Sequence, residues 1–247
     1  MSGFIQSITH WVHWLSLETA KPTRLWLSLA LLAGILVAVI PQSWLLTRLF
    51  ATYIHEAGHA LFALFTGRRV KSMKINEDSS GSTLHAGLES AVFSRFLTAL
   101  AGYPAPALAG WGIVTAVATQ HARYALGAFI VVIMGLALIQ HSLRGWLVTL
   151  VALSICWGLT LASSYWMQLA ITLVAGYLLA ASPRTIVELR KFDRQFKKSK
   201  NIEGGTHSDA QVLAAMTGVG ALFWEMVFLV LCLALFYWAL GSLGIVK

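Results

Sequence analysis

An all-α integral membrane protein of about seven transmembrane helices, with a short β-hairpin-like cytoplasmic loop after the second, is what this sequence predicts. Three observations predict it. Hydrophobic residues make up 57% of the 247 and charged residues only 11%, less than half of the roughly 25% carried by a soluble domain. Mean hydropathy is +0.72. Apolar runs also recur at the length of about 17–25 residues that crosses hydrocarbon.

The runs lie at Leu25–Ile40, Leu45–Thr66, Phe96–Ala118, Tyr124–Ile139, Trp146–Ala162, Tyr165–Ala181 and Val212–Leu240. Ahead of them Phe4, Ile8, Trp11 and Leu15 recur at helical spacing, which predicts an amphipathic interfacial helix over residues 1–20. Residues 21–247 then form a single polytopic domain. Trp26, Trp44, Trp111 and Trp146 fall near run ends, as an aromatic belt requires.

Lys and Arg in short loops set the orientation. With a cytoplasmic N-terminus, fifteen of the 18 basic residues fall inside, and only Arg48, Arg123 and Lys247 fall outside. The formal charge of +8 is thereby a membrane-orientation signal, with Arg190–Lys200 facing anionic lipid. Nucleic acid is not an expected partner, because that basic run has only Phe192 and Phe196 to stack on bases. Cys156 and Cys232 sit inside apolar runs and imply neither a disulfide framework nor a Cys metal site. The N-terminus has no basic n-region or small-residue cleavage site, so no signal peptide is expected. A bacterial-type plasma membrane is the expected location.

Gly67–Ala91 differs in character. Val70, Met73 and Ile75 alternate imperfectly with Arg69, Lys71, Ser72 and Lys74, and Asp78-Ser79-Ser80-Gly81-Ser82 follows. Alternation broken by such a cluster signals a hairpin.

The second run carries His55-Glu56-Ala57-Gly58-His59. Histidines four apart share one helix face, so both imidazoles can reach one tetrahedral Zn²⁺. Glu56 adjoins the first ligand and can serve as the general base for a water activated by the metal. Gly58 leaves room for a close neighbour. Three ionisable groups within five residues of a membrane helix need a common partner, and a metal supplies one. A hydrogen-bonded polar cluster joining helices is the competing explanation. His10, His13, His85, His121 and His141, at the interface or near loops, read as solvated side chains.

A transmembrane His-Glu-Ala-Gly-His followed by Ala-Leu and then Gly67-Arg68-Arg69-Val70 resembles the site-2 protease family of intramembrane zinc peptidases. Ala101-Gly102-Tyr103-Pro104-Ala105-Pro106 is similar to the Ala-Gly-Pro segment of that family's second core helix. The resemblance implies that Gly102, Tyr103 and Pro104 pack beside the metal and touch an unwound substrate. It also implies a third ligand from an Asp-Gly pair, which this chain lacks. His207-Ser208-Asp209-Ala210 stands there instead and resembles the Ser-Asp-Ala signature of a compact branch of the family.

Depth arithmetic leaves two candidates. As one straight helix Val212–Leu240 would run about 43 Å at about 1.5 Å per residue, too long for a core of about 30 Å. A break at Thr217–Gly220 would let Asp209 reach the histidines, whereas an unbroken helix would bury Glu225 instead. The resemblance favours Asp209, with Glu225 the rival.

The expected function is therefore intramembrane endoproteolysis. His55, His59 and Asp209 would hold Zn²⁺, Glu56 would move the proton, and the strand around Val70 and Lys71 would pair with an unwound transmembrane protein or peptide substrate. The alternative is a catalytically inactive metal-binding scaffold or transport-related protein. Glu56 discriminates, since neither of those needs a carboxylate beside the first histidine.

Overall fold

The computed structural model describes residues 21–86, 92–198 and 208–246, together with residues 9, 11 and 13–15. Most of the helix expected over residues 1–20, and His207, lie outside the described residues. The elements are α1 (Arg24–Val39), α2 (Pro41–Phe65), β1 (Arg69–Ile75), β2 (Gly81–Ala86), α3 (Val92–Ala101), α4 (Pro104–Ala118), α5 (Ala122–Ala137), α6 (Leu143–Leu161), α7 (Ser164–Lys198), α8 (Asp209–Thr217) and α9 (Ala221–Ser242).

Prolines set two of the corners. Ile40, forced extended by the following proline (φ −68°, ψ 127°), ends α1, and Pro41 opens α2 in its first turn. The axis turns by 95° there, and by 65° between α3 and α4, where Pro104 opens the second helix. A third corner falls at Gly218, whose left-handed φ of 75° closes α8 before Gly220 caps α9. That is the break expected within Thr217–Gly220.

All seven apolar runs are helical, but they do not make seven upright rods. By length and composition three helices are able to cross a membrane: α6, Ser164–Lys191 of α7, and α9. The number rises to five if each bent pair, α1–α2 and α3–α4, is one span; α5 has only 16 residues. The seven-span expectation took Leu25–Ile40 and Leu45–Thr66 as successive crossings, whereas the corner at Pro41 lays α2 across α1.

The bundle is held by close backbone approach. A Cβ on Gly34 of α1 would overlap the Leu173 carbonyl of α7, and one on Gly176 would overlap the Leu31 carbonyl of α1. Hydrocarbon offers helices little hydrophobic reason to associate, so small residues and dense packing take over. The outer surface is correspondingly apolar, with Leu46, Phe65, Leu138 and Leu161 exposed, while Thr149, Gln168 and Thr172 are buried.

Contacts sort the chain onto two ends of this bundle. At one, the Arg24 guanidinium lies against Gly244, and that of Arg123 sits 4.8 Å from the centroid of the Trp14 ring. At the other, Arg184 donates to the Ala38 and Val39 carbonyls, the Ala107 N–H donates to Ser182 Oγ, and Arg190 faces Glu225.

The expected hairpin is present. β1 and β2 pair antiparallel from Arg69↔Ala86 to Ile75↔Gly81, with an irregularity between Val70 and Ser72. Asp78 ties the turn by accepting from the Ser80 N–H at 2.9 Å and the Ser80 hydroxyl at 2.6 Å. Those donors hold its carboxyl below the usual range. Thr52 of α2 donates to the Ser79 carbonyl at 3.0 Å, pinning the turn to the helix.

Candidate metal centre

Helical spacing alone brings His55 and His59 together, with Nε2 atoms 3.1 Å apart and rings nearly perpendicular at 83°. His59 Nδ1 lies 2.7 Å from the Thr98 carbonyl of α3. A carbonyl only accepts, so Nδ1 carries the proton and neutral His59 presents its Nε2 lone pair to the centre.

The third member comes from the far end of the sequence. Ser208 caps α8 in a capping box with Gln211, and the break at Gly218 makes α8 a separate short helix whose first residue is Asp209. Asp209 Oδ2 lies 3.2 Å from Nε2 of both histidines. It is buried and makes no hydrogen bond of acceptable geometry among the described residues. Three atoms with lone pairs thus converge at edges of 3.1–3.2 Å. Tetrahedral Zn²⁺ with bonds of about 2.0–2.1 Å sets its ligand atoms about 3.3 Å apart. Both the donor set and the spacing fit a zinc ion.

Glu56 is buried but stands apart from this triangle. Its Oε2 accepts a hydrogen bond of 2.6 Å from the Thr83 hydroxyl of β2. The hairpin therefore lies over the acidic side chain. Burial, with the Arg68 guanidinium nearby, holds the neighbouring His85 below the usual histidine range, and its Nδ1 lies 2.9 Å from the Thr83 carbonyl.

The Gly102–Pro104 segment forms the other wall. A Cβ on Gly102 would come within 2.5 Å of His59 Nε2 and 2.6 Å of His55 Cε1. Tyr103 meets His55 edge-on at 4.6 Å between centroids and stacks on Phe228 at 5.1 Å. A model of the family described as peptidase M50B-like matches residues 28–239. The chain belongs to this family. No curated protein and no solved structure matches it. The M50B-like match takes in His55, Glu56, His59, Gly102, Tyr103, Pro104 and Asp209 together.

Set against the sequence, the M50B-like site brings together His55, His59, Asp209, Gly102 and Tyr103, with Pro104 opening the adjoining helix. Glu225 is elsewhere: it is buried 3.9 Å from Arg190 of α7. The break at Gly218 carries Asp209 inward and leaves Glu225 on the separate helix α9. Val70 and Lys71 lie on β1 ahead of the stretch whose outer edge is taken. Met73 of β1 already donates to the Ile139 carbonyl at 2.7 Å and accepts from the His141 N–H at 2.9 Å, so the outer edge of β1 is occupied there. Since the Met73 backbone faces away from β2, its partner Thr83 turns its own N–H and C=O to the outer edge of β2. Among the described residues no strand pairs with that edge.

Sequence reasoning missed Thr83, Thr98 and Phe228. Thr98 contributes a backbone carbonyl, which any residue possesses, and Thr83 lies 27 residues from the group it binds.

Gly102 yields a test of the wall. Gly102→Val places carbon where the imidazoles stand, so zinc affinity should fall by about 10–100-fold, as for other disturbed ligand supports. Unchanged zinc affinity by chelator competition would mean that the wall yields and the close approach is incidental.

Proposed function

We propose that this M50B-like peptidase is an intramembrane zinc endopeptidase acting on membrane-embedded polypeptides. One observation carries the proposal: three converging ligand atoms at 3.1–3.2 Å, with the buried Glu56 adjacent in sequence yet outside their triangle. A purely structural polar cluster would gain more by drawing that carboxylate into the hydrogen bonding of the histidines. His55, His59 and Asp209 would hold the ion. Zinc, when bound, supplies the Lewis acidity that makes water a nucleophile near neutral pH.

The chain's own residues do the rest. Glu56 accepts a proton from the attacking water and passes it to the leaving amine. Gly102 keeps the wall behind the imidazoles thin, and Tyr103, wedged between His55 and Phe228, fixes the ring plane of His55. A helical substrate hides its carbonyls in its own hydrogen bonds, so it has to unwind before it is cut. The outer edge of β2 offers main-chain partners to the unwound strand.

Purified protein in proteoliposomes should cut a single-span substrate, stop on chelation and recover with Zn²⁺. Cleavage indifferent to chelation would overturn the proposal.

The orientation is part of the same reading. Counting the shorter α5 with the five candidate crossings makes six, an even number that fits Arg24 beside Gly244 at the end opposite Arg184, with Arg68, Arg69, Arg95, Arg144 and Arg190 on the cytoplasmic side. Cysteines replacing Pro22 and Val246 should label from one side of the membrane, and those replacing Asp78 and Lys197 from the other. Labelling of 22 and 246 from opposite sides would restore the odd count and the cytoplasmic N-terminus.

A further inference from the structure

We infer that Thr83 is a positioning residue for Glu56: its hydroxyl fixes the carboxylate that moves the proton, and Gly81 is small because that carboxylate lies against β2. The inference rests on the endopeptidase reading above. Thr83 Oγ1 is 2.6 Å from Glu56 Oε2 and 3.4 Å from the Glu56 carbonyl, so strand and helix meet at this residue. Two residues earlier a Cβ on Gly81 would overlap Glu56 Oε1 and come within 2.6 Å of Cδ. One carboxylate oxygen is thus held by a donor and the other is walled by bare backbone. A glutamate has three side-chain torsions, and an untethered carboxylate would spread over many rotamers. The tether selects one of them.

Thr83 also joins two functions. Its side chain holds the base while its main-chain N–H lies on the outer edge of β2, where an extended substrate would pair, the adjoining carbonyl being held by His85 Nδ1 at 2.9 Å. A substrate pulling β2 out of place would drag the base with it, so strand capture and base orientation are coupled through one residue.

Thr83→Val keeps the shape and β propensity but removes the donor. Loss of a hydrogen bond to a charged group corresponds to a drop in kcat of about ten- to hundredfold. KM and zinc content should stay within about twofold of wild type, because neither the edge nor the ligands change. Thr83→Ser should recover kcat to within about threefold. Gly81→Ala should lower kcat with zinc retained. A merely structural threonine would instead lower protein yield and zinc content, and serine would not rescue it selectively. Combined with Glu56→Gln, Thr83→Val should add little, since the group it serves is gone.

A second measurement needs no activity. The pair Glu56→Cys with Thr83→Cys should be joined in membranes by a short bifunctional thiol reagent, because the two side chains meet. No cross-link, or a Thr83→Val enzyme with wild-type kcat, overturns the inference. Wild-type protein that cuts nothing while the cross-link forms would instead overturn the endopeptidase reading and leave the contact standing.

Discussion

Glu56→Gln is expected to reduce peptide hydrolysis by about 10²–10⁴-fold, the span typical of a lost general base, while zinc content and expression remain near wild type. The substitution is nearly isosteric. The Thr83 hydroxyl can still donate to the amide oxygen, so the hairpin stays seated. His55, His59 and Asp209 are untouched, since Glu56 belongs to no edge of their triangle. What disappears is the capacity to take and return a proton. Cleavage of a single-span substrate, followed by size in membranes carrying each variant, measures the effect. A substrate retained uncut on the variant would strengthen the assignment. If Glu56→Gln matches wild type in assays where His59→Ala fails, the metal matters and hydrolysis does not. The scaffold or transport reading then replaces the peptidase one.

Metal content should separate Asp209 from Glu225 just as sharply. Wild-type protein should hold about one zinc per chain, and His55→Ala, His59→Ala and Asp209→Ala should each fall to background. Each removes one of three protein ligands, and Asp209 lies 3.2 Å from both of the others. Glu225→Gln should retain zinc, because that carboxylate is directed at Arg190. Thermal unfolding provides a second readout. Zinc at about 1,000 times its Kd should stabilise the fold by about 4 kcal/mol, and the three ligand variants should lose that increment. Zinc loss in Glu225→Gln with retention in Asp209→Ala would reverse the assignment.

Local features were the legible ones. The pair His55/His59 needs only the helical repeat to share a face, so the sequence already implied their meeting. The hairpin was legible from the Asp-Ser-Ser-Gly-Ser cluster, and the break before Ala221 from the glycines at 218 and 220 together with an excessive helix length. Membership of a membrane peptidase family likewise showed in the first motif and in Ala101–Pro106.

Other features depend on contacts between distant residues. Pro41 was visible, but neither the 95° angle of the corner it sets nor the seating of α1 against α7 at Gly34 and Gly176 could be read from it. Closure of the β1 edge required the link at Ile139–His141 to arrive beside Met73. The choice between Asp209 and Glu225 turned on which side of the Gly218 break each one fell, and on α8 packing against α3 beside the histidines. Sequence by itself determined the helices, the hairpin and the two histidines, because hydrophobic periodicity and i,i+4 spacing act within a few turns. Tertiary structure supplied the place of Asp209 beside the two histidines and the strand that meets Glu56. Those partners lie 150 and 27 residues from the groups they meet, and only packing brings them together.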